Sequence, residues 1–136
     1  MGLMQHMYTA IDCDDPISLA KFYSELTGLR VDLAKPSAID VSWVELKDEN
    51  NQVQLAFQKI PNYRPPTWPD GDLPQQVHMD FLVDDIAEGE AIALKLGATK
   101  TQFQPGSPQS DDNEYEFRVY LDPQGHPFCL ISTKKY

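Results

Sequence analysis

The chain has 136 residues, enough to close one ordinary hydrophobic core, and its 41% apolar and 24% charged residues are those of a globular protein. Its 21 acidic residues against 11 basic ones give a net charge of −10, which repels phosphate backbones and anionic membranes, so neither nucleic acid nor a membrane is expected as a partner. No apolar run reaches the roughly 20 residues of a membrane span. The start lacks the basic-then-apolar pattern of a secretory signal. The two cysteines, Cys13 and Cys129, have neither metal-finger spacing nor a disulfide framework, so a reduced, cytoplasmic setting is expected.

Tyr8 to Cys13 alternates weakly and predicts a strand. Asp14 or Asp15 then caps a helix with Pro16 at its first position, where the missing N–H costs nothing. Leu19, Phe22, Tyr23 and Leu26 recur at helical spacing, and Gly28 ends the run. Strands are predicted at Val31 to Leu33, Ile39 to Leu46 and Val53 to Gln58, the last two joined by the polar Lys47-Asp48-Glu49-Asn50-Asn51 turn. The segment from Lys59 to Gln76 carries Pro61, Pro65, Pro66, Pro69 and Pro74, which block regular structure, so a stiff linker is expected with Tyr63 and Trp68 packed at a cavity rim or a subunit interface.

The order then repeats. His78 to Val83 predicts a strand, Asp84 or Asp85 caps a helix bearing Ile86, Ile92, Ala93 and Leu96, and Gly97 stops it. Ala98 to Phe103 predicts a strand, and Gln104 to Asn113 a polar loop. Tyr115 to Leu121 and Phe128 to Ser132 form a hairpin around Asp122-Pro123-Gln124-Gly125. The paired aspartates recur after 70 residues (Asp15, Asp85), the glycines after 69 (Gly28, Gly97) and the hairpins after 75 (Leu46, Leu121). Such self-similarity marks a duplicated unit. The expected fold is α+β: one domain over 1–136 of two βαβββ modules, about 5–60 and 77–133, joined by the linker at about 59–76.

Three stretches carry a resemblance to a known family. Asp14-Asp15-Pro16 leading to Phe22-Tyr23 and Leu26-Thr27-Gly28-Leu29 is similar to the first-helix motif of the vicinal oxygen chelate superfamily, which holds glyoxalases, bleomycin-resistance proteins and extradiol dioxygenases. Leu121-Asp122-Pro123-Gln124-Gly125-His126-Pro127-Phe128 resembles its last hairpin. Pro74-Gln75-Gln76-Val77-His78-Met79-Asp80 is similar to the bacterial glyoxalase-like branch. The resemblance spans nearly the whole chain. It implies curled mixed sheets around a cup-shaped cavity, often completed in a homodimer.

Strand side chains alternate between the helix and the cup. Taking the apolar set Tyr115, Phe117, Val119 and Leu121 as helix-facing puts Glu116, Arg118 and Tyr120 in the cup. His78, Asp80 and Leu82, and likewise Gln54, Ala56 and Gln58, are also expected there. The 75-residue offset makes Trp43 the counterpart of Arg118, Glu45 that of Tyr120 and Gln54 that of Cys129. The 70-residue offset pairs Tyr8 with His78, Ala10 with Asp80 and Asp12 with Leu82. Buried ionisable groups need partners, and Arg118 is expected to pair with Glu45, Asp80 or Glu116, or with a ligand.

In metal-dependent relatives four positions supply ligands, and the resemblance carries them to Tyr8, Gln54, His78 and Cys129. His78 fits and Gln54 fits weakly, whereas Tyr8 and Cys129 depart from the pattern and none of the four is a carboxylate. His78 with Cys129 suits zinc, but two good ligands fall short of the usual three or four, so no cofactor is expected; a divalent metal, if held, would use His78 and Gln54. His78 is the candidate acid/base, with Asp80 about 6.6 Å along its strand. His126 is expected to be structural.

The leading expectation is a metal-free cup that binds a small aromatic or amphipathic molecule through Tyr8, Trp43, Glu45, Gln54, Asp80, Arg118, Tyr120 and Cys129. The alternative is a lyase, isomerase or dioxygenase-like enzyme, metal-dependent or using His78 as acid/base. A module that only dimerises comes third.

Overall fold

The computed structural model describes residues 2–33, 41–106 and 116–132. Two compact units divide at Arg64 and Pro65. Each is built as β-α-β-β-β, so the duplication seen in the sequence is a duplication of structure.

In the first unit β1 (Thr9–Cys13) leads into α1 (Pro16–Thr27), followed by β2 (Arg30–Asp32), β3 (Trp43–Lys47) and β4 (Val53–Lys59). Of the two candidate caps the second is used: Asp15 accepts from the Ser18 N–H at 3.1 Å. Gly28 closes the helix at φ 77°, its N–H donating to the Ser24 carbonyl; a side chain at that φ would be strained. The buried stripe of Leu19, Ala20, Phe22 and Tyr23 faces a sheet ordered β1-β4-β3-β2, in which β1 runs parallel to β4 and the other pairs are antiparallel. The Tyr23 ring stacks on Phe57 at 5.6 Å, and Val44, Leu46 and Phe57 are fully buried around it. Apolar side chains from a 3.6-period helix and a 2-period strand thus close one core.

In the second unit β5 (Met79–Val83), α2 (Ile86–Lys95), β6 (Thr99–Lys100), β7 (Phe117–Leu121) and β8 (Pro127–Ser132) repeat the arrangement, with sheet order β5-β8-β7-β6. Asp85 caps α2 by accepting from the Glu88 N–H at 3.1 Å. The face of α2 differs from expectation. Ile92 is 45% exposed, and the buried positions are Ile86 and Ala93 with half-buried Gly89 and Glu90 between them. A Cβ at Gly89 would lie 3.1 Å from Leu130 Cδ1, so the helix sits close on the sheet there.

Several strands are shorter than predicted, β3 and β6 by the most. For β3 the residues Ile39 and Asp40 lie outside the described ones, and Val41 and Ser42 are not in the strand. β6 ends at Lys100; the Thr101 N–H adds one more bond to the Val119 carbonyl, and a side chain then shares the pairing. The Gln104 amide accepts from the Val119 N–H and donates to the Val119 carbonyl, both at 2.8 Å. Tyr115 and most of the predicted loop from Gln104 to Asn113 lie outside the described residues.

The two hairpin turns share one construction. Asp48 accepts from the Asn50 and Gln52 N–H groups, both at 2.9 Å. Asp122, its counterpart, is 3% exposed and accepts from the N–H groups of Gln124 and His126. The His126 ring also contacts Asp122 at 2.8 Å, which makes this histidine a turn residue. In the proline-rich segment the Thr67 N–H donates to the Leu73 carbonyl and the Leu73 N–H to Thr67 Oγ1, closing a small loop. Trp68 packs on Phe103 with ring centroids 5.8 Å apart.

Candidate functional site

The sheet registers decide which side chains leave the helix. Ala10 pairs with Ala56 as Asp80 pairs with Cys129, and Glu45 pairs with Ala56 as Val119 pairs with Cys129. The modules therefore correspond at 70 residues in the first strand, 73 in the last and 74 in the third. Register slips between Leu46 and Lys47, so Gln54 faces no partner and has no counterpart in the second module. Cys129 corresponds to Ala56, not to Gln54. One residue of slip exchanges the faces of a strand, so Arg118 corresponds to the buried Val44 and Tyr120 to the buried Leu46.

The expectation that Arg118 and Tyr120 turn away from the helix is thus corrected. Both lie on the helix side, opposite Leu130 and Phe128. The Tyr120 hydroxyl donates to Glu90 Oε2 on α2 at 2.6 Å, and Arg118 donates to the same oxygen at 3.0 Å. Lys100 lies 3.0 Å from that oxygen, and Arg118 also reaches Glu116 at 3.2 Å. The pairing with Glu116 was expected; Glu90 was not. Burial would raise the Glu90 pKa, but the hydrogen bonds from Tyr120, Arg118 and Lys100 outweigh it and hold it at about 2. Burial, then the bond to Glu90, pushes the Tyr120 phenol up. This cluster is satisfied within the protein and anchors α2 to its sheet.

The helix-free face of the first sheet presents Trp43 and Glu45, as expected. The indole N–H donates to Glu45 Oε2 at 3.2 Å. Lys47 lies 3.8 Å from Glu45 but only 2.6 Å from Asp32, so its charge goes mainly to Asp32, whose pKa the Lys47 hydrogen bond lowers. Tyr8 precedes the strand, is 44% exposed and stacks with His6. The Gln54 amide donates to Asp48 Oδ2 at 2.8 Å and is held in the turn.

The helix-free face of the second sheet gathers His78, Asp80 and Cys129. Parallel pairing sets Asp80 beside Cys129. His78 Nε2 lies 3.3 Å from Asp80 Oδ1; the side-chain tips meet although their backbones are two residues apart. One ligand atom from each of the three lies within 4.8 Å of the others. Cys129 is nearly buried, and burial, together with the hydrogen bond and charge of Asp80, pushes its thiol up to about 12, so the free thiol is a poor nucleophile. The donor types, imidazole, carboxylate and thiolate, suit a metal of the zinc class. The sequence expectation counted two good ligands; the register supplies Asp80 as a third.

A paired-module α+β fold with these motifs defines a class before any single relative does. A family model described as a glyoxalase-like domain matches residues 8–131, and the chain belongs to this family, within the vicinal oxygen chelate superfamily. A glyoxalase/bleomycin resistance protein/dioxygenase family enzyme from Burkholderia phytofirmans is similar at TM-score 0.63 and 15% identity, over 93% of this chain and 97% of that one. The fosfomycin resistance protein FosX from Listeria monocytogenes is similar at TM-score 0.65 and 10% identity, over 99% and 95%. FosX from Mesorhizobium loti gives TM-score 0.61 and 12% identity, over 97% and 95%. These similarities concern the fold. No curated protein matches the sequence. No helix among the described residues is long and apolar enough to cross a membrane.

Proposed function

We propose that this protein binds a small, positively charged molecule with an aromatic or other planar apolar part. The observation that carries this reading is the Trp43–Glu45 pair on the helix-free face of the first sheet, where the neighbouring Lys47 is drawn mainly to Asp32. In the second unit Arg118 is tied to Glu90, and Asp80 is a carboxylate on the helix-free face of its own sheet. An indole next to a carboxylate suits a cationic planar group, which gains ring stacking and charge together. Leu82, 70% exposed beside Asp80, adds apolar surface for the same kind of ligand. The net charge of −10 draws cations toward the protein. A homodimer in the cytoplasm is part of this proposal.

Thermal-shift screening tests it with matched sets of cationic aromatic amines and anionic aromatic acids. Cationic compounds raise the melting temperature, and Trp43→Ala and Glu45→Gln each remove the shift. Stabilisation by the anionic set alone would overturn the reading of charge.

The 3.3 Å contact of His78 with Asp80 favours a second reading, in which His78 moves a proton on a bound substrate and Asp80 orients the ring. Turnover of a bound compound retained in His78→Ala would reject that role.

A further inference from the structure

We infer that Asp32 is a positioning residue for the Trp43–Glu45 pair: it holds Lys47 off Glu45 and so keeps one carboxylate oxygen, Oε1, open to the ammonium group of a singly charged ligand. For the ligand the inference rests on the small-molecule reading; for the placement of the charges it rests on the first sheet alone.

The β2–β3 register sets up a conflict. Asp32 and Glu45 stand directly opposite each other on antiparallel strands, so two carboxylates share one face, and like charges so placed repel. Lys47 follows Glu45 by two residues, on the same face of β3. Its ammonium lies 2.6 Å from Asp32 Oδ2 but 3.8 Å from Glu45 Oε1. The first contact is a charge-assisted hydrogen bond, and the second is too long for one. The Lys47, Asp32 and Glu45 side chains are 17%, 30% and 20% exposed, so salt screens these charges less than it would on an open surface. No other cation competes for Glu45 among the described neighbours. Arg30, opposite Lys47, donates to Asn51 Oδ1 at 2.7 Å. On its other side Glu45 pairs with Ala56, which carries no charge. Glu45 Oε2 accepts from the Trp43 indole. The charges of Asp32 and Lys47 therefore cancel, and Glu45 keeps its own. Its Oε1 accepts the N–H of a protonated amine whose apolar part lies on the indole. A carboxylate in that place is repelled, and a dication leaves one charge unmatched. Without the Asp32 charge Lys47 turns to Glu45 and occupies the oxygen itself. Selectivity is thus set from β2, at the end of the sheet, by a side chain that need not touch the ligand.

The test is heteronuclear NMR of the full chain, read at the indole N–H signals of its two tryptophans, Trp43 and Trp68. In the ligand-free protein Asp32→Asn is expected to shift the Trp43 signal, because Lys47 pulls on its acceptor, and to leave the Trp68 signal in place. Asp32→Glu keeps the charge, and Asp32→Asn with Lys47→Gln removes the competitor; both keep the Trp43 signal near its wild-type position. Titration with phenethylammonium chloride gives a Kd about fivefold weaker in Asp32→Asn, the size of one partly exposed ion pair, and within about twofold of the wild type in those two variants. Lys47→Gln alone binds it at least as tightly as the wild type, and phenylacetate binds the wild type more weakly than phenethylammonium does. Asp12→Asn, which removes one charge from β1, two strands from β3, leaves the Kd unchanged. An unmoved Trp43 signal in Asp32→Asn, a shift that persists after Lys47→Gln is added, or weaker binding in Lys47→Gln alone overturns the inference. Equal weakening in Asp12→Asn overturns it as well, since net charge would then account for the effect. A wild type that does not respond to phenethylammonium overturns the small-molecule reading and the ligand assigned here, whereas the ligand-free signals decide the hold of Asp32 on Lys47 independently.

Discussion

The hydroxyl of Tyr120 donates to Glu90 Oε2 at 2.6 Å, joining a fully buried ring on β7 to a carboxylate on α2. Arg118 and Lys100 converge on the same oxygen. Glu90→Gln is expected to leave the Arg118 charge short of its partner. Breaking a fully buried pair costs about 3–5 kcal/mol, and partial exposure brings the expectation here to about 2 kcal/mol. Tyr120→Phe keeps the ring and loses one charge-assisted bond, about 1–2 kcal/mol. Urea denaturation measures both, and Glu90→Gln matching the wild type would show that the cluster does not hold α2.

The same carboxylate sets an acid dependence. Its folded pKa of about 2 lies below the ordinary 4.5. A depressed carboxylate contributes stability that is complete above its unfolded pKa and is lost as pH falls toward the folded one. The wild type should therefore lose about 2 kcal/mol more than Glu90→Gln between pH 5 and pH 2. Parallel denaturation curves for the two proteins across that interval would contradict this.

The hairpin turns should respond unequally to one substitution. Asp122 is buried and holds two N–H groups and the His126 ring, so Asp122→Ala is expected to cost about 2–3 kcal/mol. Asp48 makes similar bonds in a more exposed turn, and Asp48→Ala should cost clearly less. Melting temperatures of the two variants rank them, and the reverse order would reject burial as the difference.

Gln54 is the extra residue of a bulge, and its deletion is expected to be tolerated. Without it the pairings Leu46–Leu55 and Lys47–Val53 become one continuous register, as in the second module. The lost contact is the hydrogen bond to Asp48. Circular dichroism and a melting curve check the outcome; an unfolded deletion variant would show that the bulge is required.

The duplicated modules, both helix caps and the turn role of His126 were legible in the sequence because caps, glycines and turn residues act locally. The family was legible from the same segments in their order. The faces of β7 were not. A constant 75-residue offset ignores the slip at Gln54, and one residue reverses every side chain of the strand. Apolar Phe117, Val119 and Leu121 reinforced the wrong face, while the partner of Arg118 and Tyr120 sat on a helix, at a position the strand pattern does not reach. Glu90 lies four residues after Ile86 and three before Ala93, so helical spacing alone could have placed it on the inner stripe. Asp80 was seen beside His78 but placed about 6.6 Å away, because backbone rise was taken for the separation of two side-chain tips. Parallel pairing with Cys129 is a long-range fact that no local pattern announces.

The pairing of Gln104 with Val119 has a further consequence. β6 is two residues long, and although the Thr101 N–H still reaches the Val119 carbonyl, without the glutamine the Val119 N–H would stand open beyond it as a template for a foreign strand. An amide side chain carries the same donor and acceptor as a peptide group but offers no next residue to extend. It saturates the edge and ends it, so that this rim of the sheet resists edge-to-edge aggregation.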